Sequence, residues 1–466
     1  MLSQILCKIK LRNSNLVAII SLEKVIPLGY YKTEVIFMEN MILYQISLRA
    51  LTPGGTLKSA KKMLNHIKEL GANWIYLCPV WIADADENRT TWSPRQIASS
   101  AENPKNPYKM ADYFNVDEEY GNNADLLDFV SEAHREGLKI MFDLVYLHCG
   151  VNAVFLKEHP DWVKQDENGK PLVGANWPFA RINYENDGVR EYLYSNMELF
   201  SKEYKVDGFR CDVGDAIPLD FWEEGIKRCK KINENLVMID EGIAPEFVNS
   251  GVFDLSYRCT AFGGMGWHGF MESDDKAEAF RKTLDFTSSV GYKHLNLFES
   301  HDLASDHKDR RMDLIYSSEI TDLCYFIIYT IDGVPFIWNG NEILDRGTQN
   351  MFSNRFCGKN IGIDWSNAMS VEGQNRLSLM KELNKMRMDY PFLYDGELIL
   401  REENKDNFIA FERRKDKKRL LIFANFGTEE KIIKTGGIKK IIIERGAKTE
   451  KDEIKISSLG FCVIEA

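Results

Sequence analysis

From residue 41 onward the chain alternates short apolar runs with longer amphipathic segments. The apolar runs are nearly continuous, which is typical of parallel strands that are buried on both faces. We predict eight such strands, at Ile42–Leu48, Trp74–Val80, Leu138–Tyr146, Val206–Asp212, Leu236–Glu241, Val252–Tyr257, Leu295–Phe298 and Val334–Trp338. Strands that are separated by helices or long connections indicate a parallel sheet.

The segments between the strands carry apolar residues at the helical period. The first predicted helix begins after Thr56, a good N-cap, and ends at Gly71. Further helices are predicted at Ala124–Arg135, Val189–Glu203, Phe221–Ile232 and Ile320–Ile331. The pattern predicts an α/β fold, a closed (β/α)8 TIM barrel. The alternative is an open doubly wound sheet, but the segment 51–55 after the first strand lacks the G-x-G-x-x-G spacing of that class.

Two stretches depart from this alternation. Residues 150–187 form a connection that is rich in Trp, Pro, Asn and Gly and too long for a simple loop, so we expect a small inserted subdomain over the barrel mouth. After about Asp389 only short alternating strands follow, which predicts a C-terminal antiparallel β-domain. Its predicted strands are Asn407–Arg413, Arg419–Phe426, Glu430–Lys434, Ile438–Glu444, Glu453–Ile456 and Gly460–Ile464. The predicted division is an unassigned extension at 1–40, the barrel at 41–389 and the β-domain at 390–466.

Composition narrows the choice of partners. The net charge of −11, from 59 basic and 70 acidic residues, disfavours nucleic acids and anionic membranes, which reward clustered Lys and Arg. No apolar run approaches the roughly 18 residues that a membrane helix needs. The nine cysteines are scattered and form no C-x-x-C, which favours a reduced cytoplasmic protein over a disulfide framework or a zinc site.

Polar residues follow the ends of four predicted strands. They are Asp143 and His148 after the third strand, Arg210 and Asp212 at the end of the fourth, Glu241 at the end of the fifth, and His301 and Asp302 after the seventh. The carboxyl ends of barrel strands share one mouth, so these side chains should converge there. Paired carboxylates are what glycosidic cleavage requires, one ionised and one protonated.

Each of these residues has an ordinary structural explanation. A single strand-end Asp is more often a helix cap or a salt-bridge partner, and a lone His is more often structural. The joint pattern on four strands favours a site. Arg210 should lie beside Asp212 and keep it ionised, since residues two apart on a strand face the same side. Glu241 would need a raised pKa, whereas neutral His148 and His301 suit sugar hydroxyls.

Four motifs occur in order along the chain: DLVYLH at Asp143–His148, GFRCD at Gly208–Asp212, VMIDE at Val237–Glu241 and FESHD at Phe298–Asp302. With the segments 70–79 and 333–342, they resemble the alpha-amylase family (glycoside hydrolase family 13) from about Met41 to the C-terminus. The resemblance implies a retaining mechanism, with Asp212 as nucleophile, Glu241 as general acid/base and Asp302 as transition-state stabiliser. It also implies sugar contacts from Arg210, His148 and His301, support from Asp143, and a stacking platform at Tyr108, whose alternative is a packed core tyrosine.

The motifs depart from the family pattern at two places. The Asn that binds a structural calcium in many members is Leu147 here, and Leu cannot ligate a hard cation. We therefore expect no metal at that position and no cofactor. Many amylases carry a Lys–His pair just beyond the nucleophile, whereas this chain has Asp215 and Ala216. The usual contacts to the leaving-group sugar are thus not implied.

The expected function is hydrolysis of α-glucosidic bonds in starch-derived glucans or malto-oligosaccharides, in the cytoplasm. A transglycosylase or a sucrose- or disaccharide-acting enzyme with the same triad is one alternative. A non-catalytic sugar-binding barrel is another, although such relatives usually lose a triad member and Asp212, Glu241 and Asp302 are all present. The sequence leaves open α-1,4 against α-1,6 preference, chain length and oligomeric state.

Overall fold

The computed structural model describes residues 38–257, 265–291, 293–304, 311–357 and 362–466. Eight parallel strands close into a barrel in the order β1-β8-β7-β6-β5-β4-β3-β2. They are β1 (Leu43–Ile46), β2 (Trp74–Leu77), β3 (Lys139–Leu144), β4 (Gly208–Cys211), β5 (Val237–Asp240), β6 (Leu255–Tyr257), β7 (Lys293–Leu297) and β8 (Val334–Trp338). The predicted barrel is confirmed. Most of the predicted extension at 1–40 lies outside the described residues.

Successive side chains of the barrel strands enter two different cores. Leu43, Trp74 and Met141 belong to the cluster that fills the barrel interior, whereas Ile75 and Ile140 belong to the larger core outside it. Neighbouring side chains of a strand point to opposite faces, and both faces are covered here. This double burial explains why the strands are apolar at nearly every position.

Helices lie between the barrel strands along the chain and follow the last of them. They are Leu48–Leu51, Leu57–Ala60, Leu64–Leu70, Pro94–Ala98, Asn123–Arg135, Asp187–Leu199, Leu219–Lys230, Pro245–Ser250, Met265–Glu272, Lys276–Val290, His301–Ala304, Met312–Ile315, Ser318–Thr330 and Val371–Asp389. Thr56 forms a capping box with Ser59 at the first predicted helix, and Gly71 ends it at φ 96°. Helix Val371–Asp389 was not predicted, because it buries Arg376 and Arg387 and these break the apolar period.

The C-terminal sheet is antiparallel and has the order β9-β10-β11-β14-β12, with β13 paired to β14. Its strands are β9 (Glu397–Leu400), β10 (Phe408–Lys415), β11 (Lys418–Asn425), β12 (Lys431–Lys434), β13 (Lys440–Glu450) and β14 (Glu453–Glu465). The predicted β-domain is confirmed, but the predicted strands at 453–456 and 460–464 are one strand. Exposed Ser457 and Ser458 interrupt its apolar pattern without ending it. The limits at 40 and 389 stay a prediction.

Buried guanidinium groups join this sheet to the barrel. Arg413 on β10 donates to the carbonyl oxygens of Thr330, at the end of a barrel helix, and of Leu393 and Gly396, at 2.8 to 3.0 Å. Arg387 donates to the carbonyl oxygens of Ile331, at 3.0 Å, and Leu393, at 3.2 Å. Helix C-termini leave carbonyl groups without intrahelical partners, and these arginines satisfy them.

The long connection after β3 folds over the mouth. Its short strands His148–Cys149 and Ala180–Arg181 pair in antiparallel fashion. This pairing brings the Phe179 ring within 4.9 Å of the His148 ring, and Trp177 lies 5.6 Å from Phe179. The excursion therefore supplies aromatic side chains to the open end of the barrel.

None of the helices in the described ranges has both the length and the apolarity that a membrane span requires.

Candidate active site

A single guanidinium at the barrel mouth contacts three carboxylates. Arg210 Nη1 lies 2.8 Å from Asp143 Oδ1 and 2.9 Å from Asp212 Oδ1, and its Nη2 lies 2.7 Å from Glu241 Oε2. The Arg210 side chain is 1% exposed. Since the three carboxylates share one positive charge, the cluster has fewer cations than acids.

The strand register explains this convergence. Arg210 on β4 is the cross-strand partner of Asp143 on β3, and Asp212 follows two residues later on the same side. Val213 then adopts a left-handed conformation with φ 45°, which costs a β-branched residue about 1–3 kcal/mol. In this conformation its backbone N–H donates to Glu241 Oε2 at 3.0 Å. The turn after Asp212 thus also holds the carboxylate on β5.

Burial and crowding raise the pKa of both carboxyl groups, but unequally. Desolvation raises the pKa of Asp212 to about 6 against the opposing charge of Arg210. Desolvation, together with the charges of Asp212 and Asp302, raises the pKa of Glu241 to about 8. Because one guanidinium cannot balance the whole cluster, the carboxyl with the higher pKa keeps its proton at neutral pH. Asp212 is then ionised while Glu241 is protonated.

A chain of hydrogen bonds fixes the other face of the cluster. The Tyr108 hydroxyl donates to Asp143 Oδ2 at 2.9 Å, and the Tyr76 hydroxyl donates to the same atom at 2.6 Å. Tyr108 Oη in turn lies 2.9 Å from His301 Nε2, and Gln45 Nε2 lies 2.9 Å from His301 Nδ1. An amide nitrogen only donates, so Nδ1 accepts and the ring carries its proton on Nε2. Burial lowers the pKa of His301, which keeps the ring neutral.

Tyr108 lies between the two predicted histidines. Its ring is stacked on His301, with 5.1 Å between centroids and 10° between planes, and it is 5% exposed. His148 Nε2 donates to the Tyr108 carbonyl oxygen at 2.9 Å, and burial lowers the pKa of His148 to about 4. Tyr108 is therefore a buried, hydrogen-bonded residue whose one face is covered by His301. Both histidines direct their Nε2 proton to Tyr108.

Asp302 belongs to a different charge arrangement. Arg95 Nη1 donates to its Oδ1 at 2.9 Å, and Arg95 Nη2 donates to its backbone oxygen at 3.1 Å. Desolvation raises the pKa of Asp302, but the charge and the hydrogen bond of Arg95 outweigh this effect and hold the pKa of this carboxyl below its usual range. Its side chain is 43% exposed. Asp302 is thus the ionised carboxylate that faces the open mouth.

The departure at Asp215 has a structural role. Asp215 Oδ2 accepts from the backbone N–H of Ile243 at 3.1 Å and of Ala244 at 3.2 Å. A Cβ on Gly242 would lie 1.9 Å from Asp215 Cγ, so only glycine fits there. Asp215 therefore shapes the loop that follows Glu241.

The position that the resemblance associates with calcium does not fit a cation. Leu147 is half-buried and packs against the apolar core, so it presents no oxygen ligand. Within the described ranges no group of three or more His, Cys, Asp or Glu side chains could hold a metal ion.

The structure brings all eight residues singled out from the sequence into one contact network. Three participants were not singled out: Gln45 and Tyr76, which lie on barrel strands, and Arg95, which lies in a short helix of the connection after β2. A polar Gln45 inside the apolar run of β1 was a usable signal. Nothing in the sequence pointed to Arg95, because this residue lies in a long and irregular connection that brings it to the site.

Comparison with known proteins agrees with this fold. A family model described as the alpha-amylase catalytic domain matches residues 20–170. Alpha-amylase MalA of Haloarcula japonica is 24% identical over 84% of this chain and 56% of its own length. The maltogenic alpha-amylase of Bacillus acidopullulyticus is 23% identical over 80% of this chain and 63% of its own length. The chain thus spans less than two thirds of these curated relatives.

Solved structures show the same fold over nearly the whole chain. The maltogenic alpha-amylase AmyB from Thermotoga neapolitana superposes with a TM-score of 0.74 at 22% identity, covering 92% of this chain and 99% of that one. An alpha-amylase from Lactobacillus plantarum gives 0.73 at 21% identity, covering 93% and 100%. The closed barrel and the appended antiparallel sheet of this chain are thus the fold of these solved amylases, and residues 20–170 are similar to the alpha-amylase catalytic domain.

Proposed function

We propose that this protein is a retaining glycoside hydrolase that cleaves α-glucosidic bonds of starch-derived glucans or malto-oligosaccharides. The observation that carries the proposal is the pair Asp212 and Glu241, which contact one guanidinium and have unequally raised pKa values. Glycosidases of this mechanism need one ionised and one protonated carboxyl. The relatives named as amylases act on the matching class of substrate.

In the first step Asp212 attacks the anomeric carbon of the bound glucosyl unit. A bond forms between its carboxylate oxygen and that carbon while the glycosidic bond breaks, and Glu241 gives its proton to the leaving oxygen. Water then attacks the anomeric carbon, the bond between that carbon and the Asp212 oxygen breaks, and Glu241 takes the proton from the water. Ionised Asp302 stabilises the positive charge that develops on the sugar ring.

The contact of both carboxylates with one guanidinium supports the retaining course. Retaining enzymes hold them about 5–5.5 Å apart, whereas inverting enzymes leave room for a water between sugar and base. Asp212 and Glu241 contact neighbouring nitrogens of the same guanidinium, at 2.9 and 2.7 Å. That arrangement favours direct attack by Asp212 over attack by an intervening water.

The test is turnover on amylose, maltotriose, isomaltose, pullulan, sucrose and trehalose, with all products identified. We expect glucose or malto-oligosaccharides of retained anomeric configuration. Glu241→Gln should lower kcat by about 100- to 10,000-fold, and Asp212→Asn by at least as much. Asp220→Asn removes an exposed carboxylate on the next helix and serves as the control. If the wild-type protein turned over none of these substrates, the hydrolase would be rejected and the sugar-binding barrel would remain as the alternative. Predominant transfer products would indicate a transglycosylase.

We also propose a cytoplasmic location. The seven cysteines in the described ranges are all free thiols, five of them buried. One relative, 23% identical over 85% of this chain, is the intracellular maltogenic amylase of Bacillus subtilis. Fractionation of cells that express the protein at native level would test this. Activity outside the cytoplasmic fraction would contradict it.

A further inference from the structure

Arg95 reaches across the barrel mouth to a predicted catalytic carboxylate. It lies in helix Pro94–Ala98 after β2 and donates to both the side chain and the backbone oxygen of Asp302, which follows β7. None of the four strand-end motifs includes Arg95. Two contacts to one residue fix the position of the guanidinium more firmly than a single exposed ion pair would.

The order of the strands shows which side of the mouth Arg95 covers. β1 and β8 lie between β2 and β7 around the barrel, and in a ring of eight strands β1 is opposite β5. Glu241, at the end of β5, would give its proton to the leaving group, so the leaving group lies on the β5 side. Arg95 therefore spans the opposite side, where any sugar beyond the cleaved glucosyl unit would have to extend.

An aromatic side chain supports Arg95 from behind. The Arg95 guanidinium carbon lies 5.7 Å from the ring centroid of Trp177, within cation–π range. Trp177 comes from the long excursion after β3, so two separate segments meet at this point. Because the guanidinium lies over this ring, the covered face of Trp177 is not available as a stacking surface for a further sugar. The side chains form a polar end wall.

We propose that Arg95 closes the non-leaving end of the cleft, so that the site holds one glucosyl unit there and removes glucose from chain ends. This inference rests on the proposed function and specifies its substrate class, namely the non-reducing ends of short α-glucosides. Arg95 acts as a specificity-determining residue, through its position beside Asp302.

The test compares the first products from p-nitrophenyl α-glucoside and p-nitrophenyl α-maltoside. Wild type should release glucose from the maltoside before any maltose. Arg95→Ala should release maltose directly and shift the ratio of kcat/KM values for maltoside over glucoside by at least about tenfold. Arg95→Lys, which retains a cation but not the two-pronged contact, should give an intermediate product pattern.

Arg89 offers a matched control on the same loop. It also pairs with a carboxylate, Glu102, and lies over an aromatic ring, Trp92, but its side chain is 49% exposed and outside the contact network of the site. Arg89→Ala should keep the wild-type product pattern. The pattern of first products separates an end wall from a merely structural role, because loss of stability alone would lower both activities together.

The outcomes distinguish this inference from the function on which it rests. Wild type that hydrolyses malto-oligosaccharides but releases maltose first would overturn the end wall and keep the hydrolase. An unchanged product ratio in both Arg95→Ala and Arg95→Lys would overturn it as well. Wild type that is inactive on every α-glucoside would instead overturn the proposed function.

Discussion

Two arginines serve the predicted triad in opposite ways. Arg210 is almost fully buried and shares its charge among Asp143, Asp212 and Glu241. Arg95 is partly exposed, and its contacts fix the single carboxylate Asp302. The group around Arg210 has three carboxyls for one cation, and the pKa values of Asp212 and Glu241 are raised there. The group around Arg95 has a nearby cation for its carboxylate, whose pKa falls.

This difference fits the roles that we propose for the carboxyl groups. A catalytic acid that works at neutral pH needs a carboxyl that is reluctant to ionise, and only the crowded cluster supplies one. A carboxylate that stabilises positive charge must stay ionised throughout the cycle, which the pairing with Arg95 ensures. Two kinds of carboxyl group therefore arise from desolvation, which raises the pKa values of Asp212 and Glu241, and from the Arg95 cation, which lowers that of Asp302.

The largest effect should come from removing the shared cation. Arg210→Met would leave three adjacent carboxylates without a counter-charge, and we expect it to lower the free energy of unfolding by about 3–5 kcal/mol. Urea titration at pH 7 measures this. The control is Arg190→Met, which breaks a more exposed pair with Asp220 and should cost at most about 1 kcal/mol. Equal losses in the two variants would show that the crowding is unimportant.

The unequal pKa values predict a bell-shaped pH profile. Asp212 must be ionised to attack, so kcat/KM should rise as the pH passes about 6. Glu241 must be protonated, so kcat/KM should fall as the pH passes about 8. Glu241→Gln should abolish the alkaline limb, measured with an activated aryl glucoside that needs no proton donor. A persisting alkaline limb in that variant would assign it to another group.

The raised pKa values of Asp212 and Glu241 also predict how the free energy of unfolding changes with pH. Both carboxyls have folded pKa values above those of free Asp and Glu, so the folded protein binds more protons than the unfolded chain. The free energy of unfolding contributed by this pair is then fully present below about pH 4 and declines as the pH rises toward 8. If the free energy of unfolding contributed by this pair increased from pH 4 to pH 8, the charge of Arg210 would outweigh the effect of burial on the two pKa values.

The smallest expected effect is that of chelation. Both cations in the described site are guanidinium groups, and Leu147 stands where a calcium ligand would be. We therefore expect EDTA to leave activity and Tm unchanged, measured by glucan hydrolysis and calorimetry, with added calcium as the matched condition. A large loss of activity or Tm that added calcium reverses would show that a metal ion acts in this protein beside Arg210 and Arg95.

The sequence predicted the barrel because double burial makes each strand apolar along its length. It predicted the carboxylates because strand ends share one mouth. The network around Tyr108 could not be predicted, since hydrogen bonds from Gln45 and Tyr76 depend on which side each strand residue faces in the closed barrel. Arg95 was missed for a related reason. Its contact with Asp302 spans 207 positions and depends on the path of an irregular loop.

The buried guanidinium of Arg413 makes the C-terminal sheet necessary for the stability of the barrel. It satisfies carbonyl groups at Thr330, Leu393 and Gly396, where the barrel passes into the second sheet. A shortened protein that ended before β10 would leave these carbonyl groups without their partner, and Thr330 lies in the segment that leads to β8, the strand that closes the ring against β1. Heat should therefore melt barrel and sheet together, and a minimal catalytic version would have to keep the sheet as part of its scaffold.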